Sequence, residues 1–316
     1  MPAPVALLVN PSAGGGRALR AAGDVERALR DHGLSLRRQD TRDIEHARTL
    51  AREAAHAGEI VAVLSGDGMI GAVADVLRGV DGAVLGVLPG GRGNDLARVL
   101  GIPGDPVTAC AIIAGGVQRR MDLGLVLDER EPGSGRAFVG IASAGFDSDA
   151  NRIANEAPSW LGGLVYAYAA LRALVAWRPA RFEVELDPPG DTRTFSAYSV
   201  GCANSRAYGG GMRAAPAALL DDGLLEVVLL ENVSKLQFVT KLLPRVFKGT
   251  HVELPCVHVF RAAEVRVAAD RPFAMYADGD PIGELPLRVR ALGAAITVLV
   301  PPDAGSDSPF AQDRRT

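Results

Sequence analysis

The stretch VALLVNPSAGGGRALRAAGDVERALRDHG, residues 5–33, predicts a β-strand, a glycine-rich loop and an α-helix in direct succession. Residues 5–9 are apolar throughout, as in a strand that is covered on both faces of a parallel sheet. Residues 17–32 carry a helical pattern, and Gly33 ends the helix. Strand, loop and helix in this order form the repeating unit of an α/β domain.

The same unit recurs along the chain as far as about residue 125. Further strands are predicted at residues 34–39, 60–64 and 84–88. Helices are predicted at residues 43–58, 70–77, 96–100 and 106–114. The sequence therefore predicts a doubly wound, Rossmann-like α/β domain over residues 1–125.

Beyond residue 125 the pattern changes to short β-rich runs that are separated by proline and glycine turns. Such runs predict a β-sandwich or small barrel over residues 126–300. The strand at residues 287–300 is the one that could return to the first domain. Residues 301–316 are expected to form a disordered tail.

The charge balance and the cysteines exclude several classes of protein. The chain has 34 basic and 37 acidic side chains, and this net charge of −3 argues against a nucleic-acid partner. Its three cysteines are widely spaced, so neither a disulfide framework nor a cysteine-based zinc site is expected. The amino terminus lacks the residue order of a secretory signal, and a cytoplasmic protein is predicted.

Two apolar stretches raise the question of membrane contact. Residues 160–177 contain Arg172 and two glycines, which favour a buried or surface-docking helix over a spanning one. Residues 234–247 combine apolar and basic side chains with a kinking Pro244, as in a helix at an anionic interface, and core packing is the alternative. We expect transient membrane association, and a homodimer is left open.

Three glycine-containing loops follow predicted strands, at residues 10–16, 65–69 and 89–95. Ligands of open α/β sheets bind beyond the carboxyl ends of the strands, and glycines let backbone amides approach phosphate oxygens. Asp67 and Asp95 lie in two of these loops, where a carboxylate would repel a phosphate unless it holds a cation. The alternatives are plain turns and helix caps.

Motifs along nearly the whole chain resemble the diacylglycerol kinase catalytic family. In the first half they are NPSAG at 10–14, GDG at 66–68, GRGND at 91–95 and MDLG at 121–124. In the second half they are Asn204, GGGM at 209–212, APA at 215–217, DDGLL at 221–225 and ADGD at 277–280.

This resemblance implies an α/β domain related to 6-phosphofructokinases and NAD kinases, followed by a β-sandwich domain. It implies that ATP and Mg²⁺ are used, with ATP in a cleft between the domains. The residues that it assigns to the nucleotide are Asn10, Pro11, Ser12, Ala13, Gly14, Thr41, Gly66, Asp67, Gly68, Met69, Val73, Gly91, Arg92, Gly93 and Asn94.

The resemblance also assigns the catalytic carboxylates. Asp67, Asp95 and Asp122 belong to a network around the catalytic magnesium, and Asp280 is the candidate base for the acceptor hydroxyl, with Asp278 as the nearby alternative. A structural magnesium is implied at Asp222 with the main-chain carbonyls of Leu219 and Leu224, and a metal-free Asp-Asp-Gly turn is the alternative.

The chain departs from the family pattern in the second loop and the helix after it, at Ser65, Met69, Gly71 and Ala72. In the third loop Arg92 stands in place of a threonine, and Asp280 stands in place of a glutamate. The resemblance implies a lipid kinase that converts diacylglycerol, a neutral lipid at a membrane surface, to phosphatidic acid. The alternatives are a sphingoid-base or ceramide kinase, an NAD kinase, or a noncatalytic sensor of lipid or nucleotide.

Overall fold

The computed structural model describes residues 3–131, 133, 135–157, 165–302 and 307–314. The chain divides into two compact units, each with its own core. Unit 1 is formed by Met1–Leu123, Leu219–Gly223 and Leu292–Thr316, and unit 2 by Gly124–Ala218 and Leu224–Ala291.

The first part of the chain alternates strands with helices, as predicted. Its elements are β1 (Val5–Val9), α1 (Ala13–Asp31), β2 (Leu36–Asp40), α2 (Ile44–His56), β3 (Ile60–Ser65), α3 (Asp67–Leu77), β4 (Val84–Pro89), α4 (Asp95–Val99) and α5 (Pro106–Gly115).

The remainder of the chain is mostly β-structure. Its strands are β5 (Val117–Asp128), β6 (Gly135–Phe138), β7 (Ile141–Gly145), β8 (Ala180–Leu186), β9 (Asp191–Ala203), β10 (Leu225–Glu231), β11 (Val257–Ala262), β12 (Glu264–Ala269), β13 (Ala274–Ala277), β14 (Asp280–Glu284) and β15 (Leu287–Val300). Its helices are α6 (Phe146–Glu156), α7 (Val165–Ala176), α8 (Lys235–Gln237) and α9 (Leu243–Val246).

Unit 1 is built on a parallel sheet in the order β2, β1, β3, β4, β15. All five residues of β1 are buried, because helices cover both faces of the sheet. Helix α1 buries Ala18, Ala22, Val25 and Leu29, which recur at the helical spacing. The predicted α/β domain is therefore confirmed, and the carboxyl ends of β1, β3 and β4 lie at one edge of its sheet.

Unit 2 is an antiparallel β-structure. Its strands pair in the order β14, β13, β7, β9, β8, β12, β15, and β10 pairs with both β9 and β11. An aromatic cluster lies in its core. The rings of Trp177 and Tyr198 are stacked with 5.7 Å between their centroids, and the rings of Phe146 and Phe238 meet edge-on with 4.9 Å between theirs. This unit is the β-rich domain that the sequence predicts.

Two features of unit 2 differ from the sequence prediction. The β-rich residues 136–142 predict one continuous strand, but the run is divided into β6 and β7, and the carboxylate of Asp278 accepts the amides of Val139 and Gly140 between them. Helix α6 was not predicted, although its apolar residues recur at the helical spacing and pack on the core of unit 2, namely Phe146, Ala150, Ile153 and Ala154.

The expected disorder of the tail is wrong for residues 307–314. Phe310 and Ser308 are buried, and the amide of Leu220 donates to the carbonyl of Pro309. Asp313 forms an ion pair with Arg119 at 3.0 Å. A polar tail can be ordered in this way when one aromatic side chain anchors it in the core of unit 1.

The two apolar stretches of unit 2 are helical. Of the stretch at 160–177, residues 160–164 lie outside the described part, and α7 covers most of the rest. The helix predicted at 234–247 is divided into α8, a π-helical turn (Phe238–Leu242) and α9, where Pro244 lies at the start. None of the described helices is long and apolar enough to cross a membrane.

Candidate functional site

The three predicted glycine loops converge in unit 1. They follow β1, β3 and β4, which are neighbours in the parallel sheet. Asn10 donates from Nδ2 to Ser65 Oγ at 3.1 Å, which joins the first loop to the second. The amide of Gly90 donates to the carbonyl of Ser65 at 2.8 Å, which joins the third loop to the second.

The backbones of these loops approach so closely that side chains would not fit. A Cβ added to Gly14 would lie 2.5 Å from the carbonyl oxygen of Gly90, and one added to Gly66 would lie 3.2 Å from the Cα of Gly91. Gly14, Gly15 and Gly16 also have φ values of +60°, +68° and +83°, which only glycine adopts without strain. Gly14–Gly16 are therefore a non-helical segment within the range given for α1, and the loops present backbone rather than side chains ahead of the regular part of α1 and ahead of α3.

We expect Gly91→Ala to destabilise the protein by about 1–3 kcal/mol, the usual cost of overpacking. Its Cβ would overlap with the Cα of Gly66, so the second and third loops would have to move apart. Chemical denaturation measures the change in unfolding free energy. Gly23→Ala in α1 is the matched control, because nothing lies within 4 Å of its Cβ position, and an unchanged Gly91→Ala protein would contradict the close packing.

The first loop is organised by its own polar side chains. Ser12 donates from both its amide and its Oγ to Asn10 Oδ1, at 3.1 and 2.9 Å. Pro11 is partly exposed and Ser12 exposed, whereas Ala13 is buried. These hydrogen bonds fix the conformation of the loop immediately before Ala13 and Gly14.

Met69, the last residue of the second loop, contacts Thr41. The Thr41 hydroxyl lies 3.2 Å from the carbonyl oxygen of Val9 and 3.6 Å from the Met69 sulfur, and both side chains are buried. Met69 thus fills space against Thr41 in place of the usual hydroxyl. Gly68 is partly exposed, whereas Val73 is completely buried in α3, so its side chain is not available to a nucleotide as the resemblance implied.

Asp67 and Asp95 lie on either side of the start of α4. Asp67 Oδ1 accepts the amide of Leu96 at 3.0 Å, so this carboxylate caps a helix that begins at Asp95. The second oxygen of Asp67 accepts no hydrogen bond from the described residues. Asp95 is largely buried and forms an ion pair with Arg98, which also donates to the carbonyl of Gly93 at 3.1 Å.

The third loop is held by Asn94, which adopts a left-handed conformation with φ of +53°. Its side chain accepts the amide of Gly91 at 2.8 Å and donates back to the carbonyl of Gly91 at 3.1 Å. Gly93 is partly exposed and Arg92 is exposed. Asn94 therefore shapes the loop, whereas the guanidinium of Arg92 is accessible to an anion.

Asp122 is buried, and its carboxylate accepts backbone amides that lie outside the three glycine loops. Its Oδ2 accepts the amide of Gly223 at 2.7 Å, and its Oδ1 accepts the amide of Ala294 at 2.6 Å. Burial raises the pKa of Asp122, whereas these two amides lower it. Asp122 thus links the turn at residues 219–223 to Ala294 in β15.

The same turn contains two of the residues expected at a structural metal, Leu219 and Asp222, and Leu224 follows it. All three are partly exposed. Asp221 beside them accepts the amide of Ala311, which ties the turn to the tail. No group of three or more metal-binding side chains was found in the described parts of the chain.

The two candidate bases of unit 2 have different environments. Asp278 accepts the amides of Val139 and Gly140 at 2.9 and 2.8 Å and has a φ of +52°, so it holds a turn. Asp280, two residues later, accepts no hydrogen bond from the described residues. Burial raises the pKa of Asp280, and the nearby Arg136 opposes this shift. Of the two, Asp280 is the carboxylate available to a substrate.

Unit 2 also contains a pocket that sequence reasoning missed. It has a cavity volume of about 40 Å³, room for a few water-sized groups, and its wall is mainly apolar. Four polar side chains line it: Asp147, Ser199, Tyr208 and His251. Burial raises the pKa of Asp147 to about 6, against the hydrogen bonds from Ser199 and Tyr208.

His251 is almost completely buried at this pocket. It donates from Nε2 to the carbonyl of Ala214 at 3.1 Å, while its buried Nδ1 has no partner among the described residues. Burial lowers the pKa of His251, which favours the neutral ring. An acidic residue directly after an apolar strand was the available signal for Asp147, whereas nothing local indicated His251.

The arrangement in unit 1 is suited to binding phosphate groups. Closely packed glycine loops lie before the amino-terminal ends of α1 and α3, where unpaired amides favour an anion. A carboxylate with one free oxygen, Asp67, lies in the same group of loops. Such a carboxylate is a ligand that a hard divalent cation prefers.

Comparison with known proteins identifies both parts of the chain. Residues 4–126 match the family model of the diacylglycerol kinase catalytic domain, and residues 140–300 match that of the YegS C-terminal NAD kinase beta sandwich-like domain. A diacylglycerol kinase from Mycobacterium tuberculosis is 35% identical over 300 residues, which are 94% of this chain and 95% of that protein.

Two further comparisons agree with these matches. A probable lipid kinase YegS-like from Serratia proteamaculans is 30% identical over 312 residues, which are 96% of this chain and 95% of that protein. The fold is similar to a crystal structure of a putative diacylglycerol kinase from Bacillus anthracis, with a TM-score of 0.77 at 20% identity. That likeness covers 95% of this chain and 97% of the other.

Proposed function

The chain belongs to the diacylglycerol kinase family of lipid kinases, and on this basis we propose that it transfers the terminal phosphoryl group of ATP to the hydroxyl of diacylglycerol. The observation that carries the proposal is the convergence of three glycine loops around Asp67 in unit 1. Phosphoryl transfer requires above all alignment and neutralisation of charge, and such loops supply both.

The nucleotide is proposed to bind along all three loops. Residues 10–14 and 66–68 offer backbone amides to its phosphates, and residues 91–94 complete the rim. Arg92 is exposed and has a charged, forked donor for a phosphate oxygen, so it takes over the role of the usual threonine. Val73 is left out of this set because it is buried.

The proposed metal is Mg²⁺, which prefers carboxylate oxygens and water. Asp67 and Asp95 fit this group because both lie at the phosphate loops and Asp67 keeps one oxygen free. Asp122 is assigned to the same network, although its oxygens already accept two amides. When bound, the ion neutralises charge on the transferred phosphoryl group. A second, structural Mg²⁺ is proposed at Asp222 with the carbonyls of Leu219 and Leu224.

Asp280 is proposed to accept the proton of the lipid hydroxyl. Its oxygens are free of hydrogen bonds from the described residues, and burial raises its pKa, which makes the carboxylate a stronger base. Asp278 is unsuited to this role because two backbone amides occupy its carboxylate.

A second candidate is a noncatalytic sensor of lipid or nucleotide. It is favoured by one observation, the buried contact between Met69 and Thr41 where the family pattern has a hydroxyl. Such a protein would bind ATP without turnover. Retention of Asp67, Asp95 and Asp122, together with a carboxylate at position 280, supports the kinase instead, because these are the groups proposed to act in catalysis.

A phosphorylation assay with a panel of acceptors tests the proposal. The purified full chain is incubated with radiolabelled ATP and Mg²⁺, and with diacylglycerol, sphingosine or ceramide in mixed micelles or with NAD in solution. We expect labelled phosphatidic acid and its loss on adding EDTA. If no lipid is labelled while a control lipid kinase is active in the same mixture, or if NAD alone is phosphorylated, the proposed function is wrong.

A further inference from the structure

Exposed hydrophobic side chains are concentrated in two helical segments of unit 2. Nine large hydrophobic residues are exposed in the described chain, and six of them lie in α7 or in residues 235–247. These six are Tyr168, Leu171, Val175, Leu236, Val239 and Phe247. Val175 and Leu236 are the most exposed, at 70% and 72%.

The two segments lie side by side. Lys235 donates from Nζ to the carbonyl oxygen of Val175 at 2.7 Å, which joins the start of α8 to the end of α7. Trp177 and Phe238, one from each segment, pack into the same core cluster of unit 2. The buried side chains of the two segments therefore stabilise unit 2. The six exposed hydrophobic side chains lie outside its core, and we call them the apolar patch.

The same segments carry a strong positive charge. Residues 235–248 contain all three lysines of the chain and Arg245, with no acidic residue, and α7 and its end add Arg172 and Arg178. All six basic side chains are exposed. The two segments thus carry a charge of +6, whereas the whole chain carries −3.

We propose that the apolar patch and its basic rim dock this protein on the surface of an anionic phospholipid bilayer. Apolar side chains at the centre enter the interface, and lysines and arginines around them bind lipid phosphates, as in interfacial amphipathic helices. The evidence for docking is the exposure and the charge of these segments. The inference rests on the proposed function only for the biological reason to dock, since a kinase of diacylglycerol must reach its acceptor at a membrane.

The charge argues for a bilayer rather than a second copy of the chain. A symmetric dimer through this patch would bring two surfaces of +6 together, and like charges at close range oppose association. An anionic bilayer has the complementary charge and a soft apolar interior. Salt should therefore weaken the docking, because ions screen exposed charges.

Sedimentation with vesicles tests the docking. The full chain is mixed with phosphatidylcholine vesicles or with vesicles of phosphatidylcholine and phosphatidylglycerol. Leu236→Glu with Phe247→Glu removes part of the apolar patch, and Lys241→Glu with Lys248→Glu reverses part of the rim. The matched controls are Leu19→Glu with Ile44→Glu and Arg27→Glu with Arg52→Glu, which make the same changes at exposed sites of α1 and α2.

We expect the wild type to sediment with the anionic vesicles only. Each double variant of the patch should partition at least about tenfold less, and the controls should behave as wild type. Equal binding to neutral vesicles, no binding to anionic ones, or unchanged binding of both patch variants overturns the proposal. So does a concentration-dependent dimer that the same variants disperse without any vesicle binding.

Activity on dioctanoylglycerol, a short-chain acceptor dispersed in solution, separates the two proposals. The patch variants should phosphorylate it as the wild type does, because they leave the phosphate loops unchanged. If the wild type binds anionic vesicles but phosphorylates no lipid, the proposed function fails and the docking stands. If the patch variants also lose activity on the dispersed acceptor while still binding vesicles, the docking proposal is overturned.

Discussion

Asp67→Asn should lower kcat for lipid phosphorylation by at least about a thousandfold, because the loss of a carboxylate that binds the catalytic cation removes several kcal/mol of transition-state stabilisation. The fold should survive, since the Oδ1 of an asparagine still accepts the amide of Leu96. Steady-state kinetics with diacylglycerol and thermal unfolding measure the two effects on one preparation.

Asp43→Asn is the matched control for this variant. Asp43 also caps a helix, accepting the amide of His46 at 2.7 Å, but it lies at the start of α2 outside the phosphate loops. Both substitutions therefore remove one negative charge and keep one capping bond, at a stability cost of about 1 kcal/mol or less. Near-normal activity of Asp67→Asn would remove Asp67 from the proposed metal network.

Asp280→Asn should lower kcat by about a hundredfold to ten-thousandfold, the usual contribution of a general base. The pH dependence of kcat/KM provides an independent check. The active form of Asp280 is the deprotonated one and burial raises its pKa, so the wild-type rate should fall as the pH falls through a pKa higher than that of a free aspartate. This acid limb should be absent from the residual activity of the variant.

Asp278→Asn separates catalysis from folding at neighbouring positions. Asp278 uses both of its oxygens to accept the amides of Val139 and Gly140, and an asparagine has only one acceptor oxygen. We expect this variant to lose about 1–3 kcal/mol of stability through an unsatisfied amide. If Asp278→Asn abolishes activity without loss of stability while Asp280→Asn remains active, the two roles are reversed.

Asp280→Glu examines the departure from the family pattern. A glutamate places the carboxylate one methylene further from the backbone, where the family base is expected. If the shorter side chain limits the rate, this variant should match or exceed the wild-type kcat under the same conditions. A loss as large as that of Asp280→Asn would show that unit 2 is adapted to the shorter acid.

The sequence by itself was sufficient for the fold class and for the positions of the three loops. Apolar runs such as residues 5–9 and 60–64 predict buried strands, and glycine runs predict where the chain turns. Both signals are local, because each depends only on residues that are close together in the sequence. Sequence reasoning failed at α6, whose apolar stripe has only four residues, two of them alanine, and at the tail, where Phe310 is the one large apolar residue.

Only the tertiary structure decided which polar groups are occupied and which are free. Asp278 and Asp280 are the same residue type in the same motif. Only the carboxylate of Asp278 accepts backbone amides, those of Val139 and Gly140, which are 139 and 138 positions away in the sequence. Asn10 meets Ser65 across 55 positions, and Lys235 joins α7 across 60. Such contacts depend on how separate elements pack, so no local pattern encodes them, and they determine which carboxylate is available and which surface remains exposed.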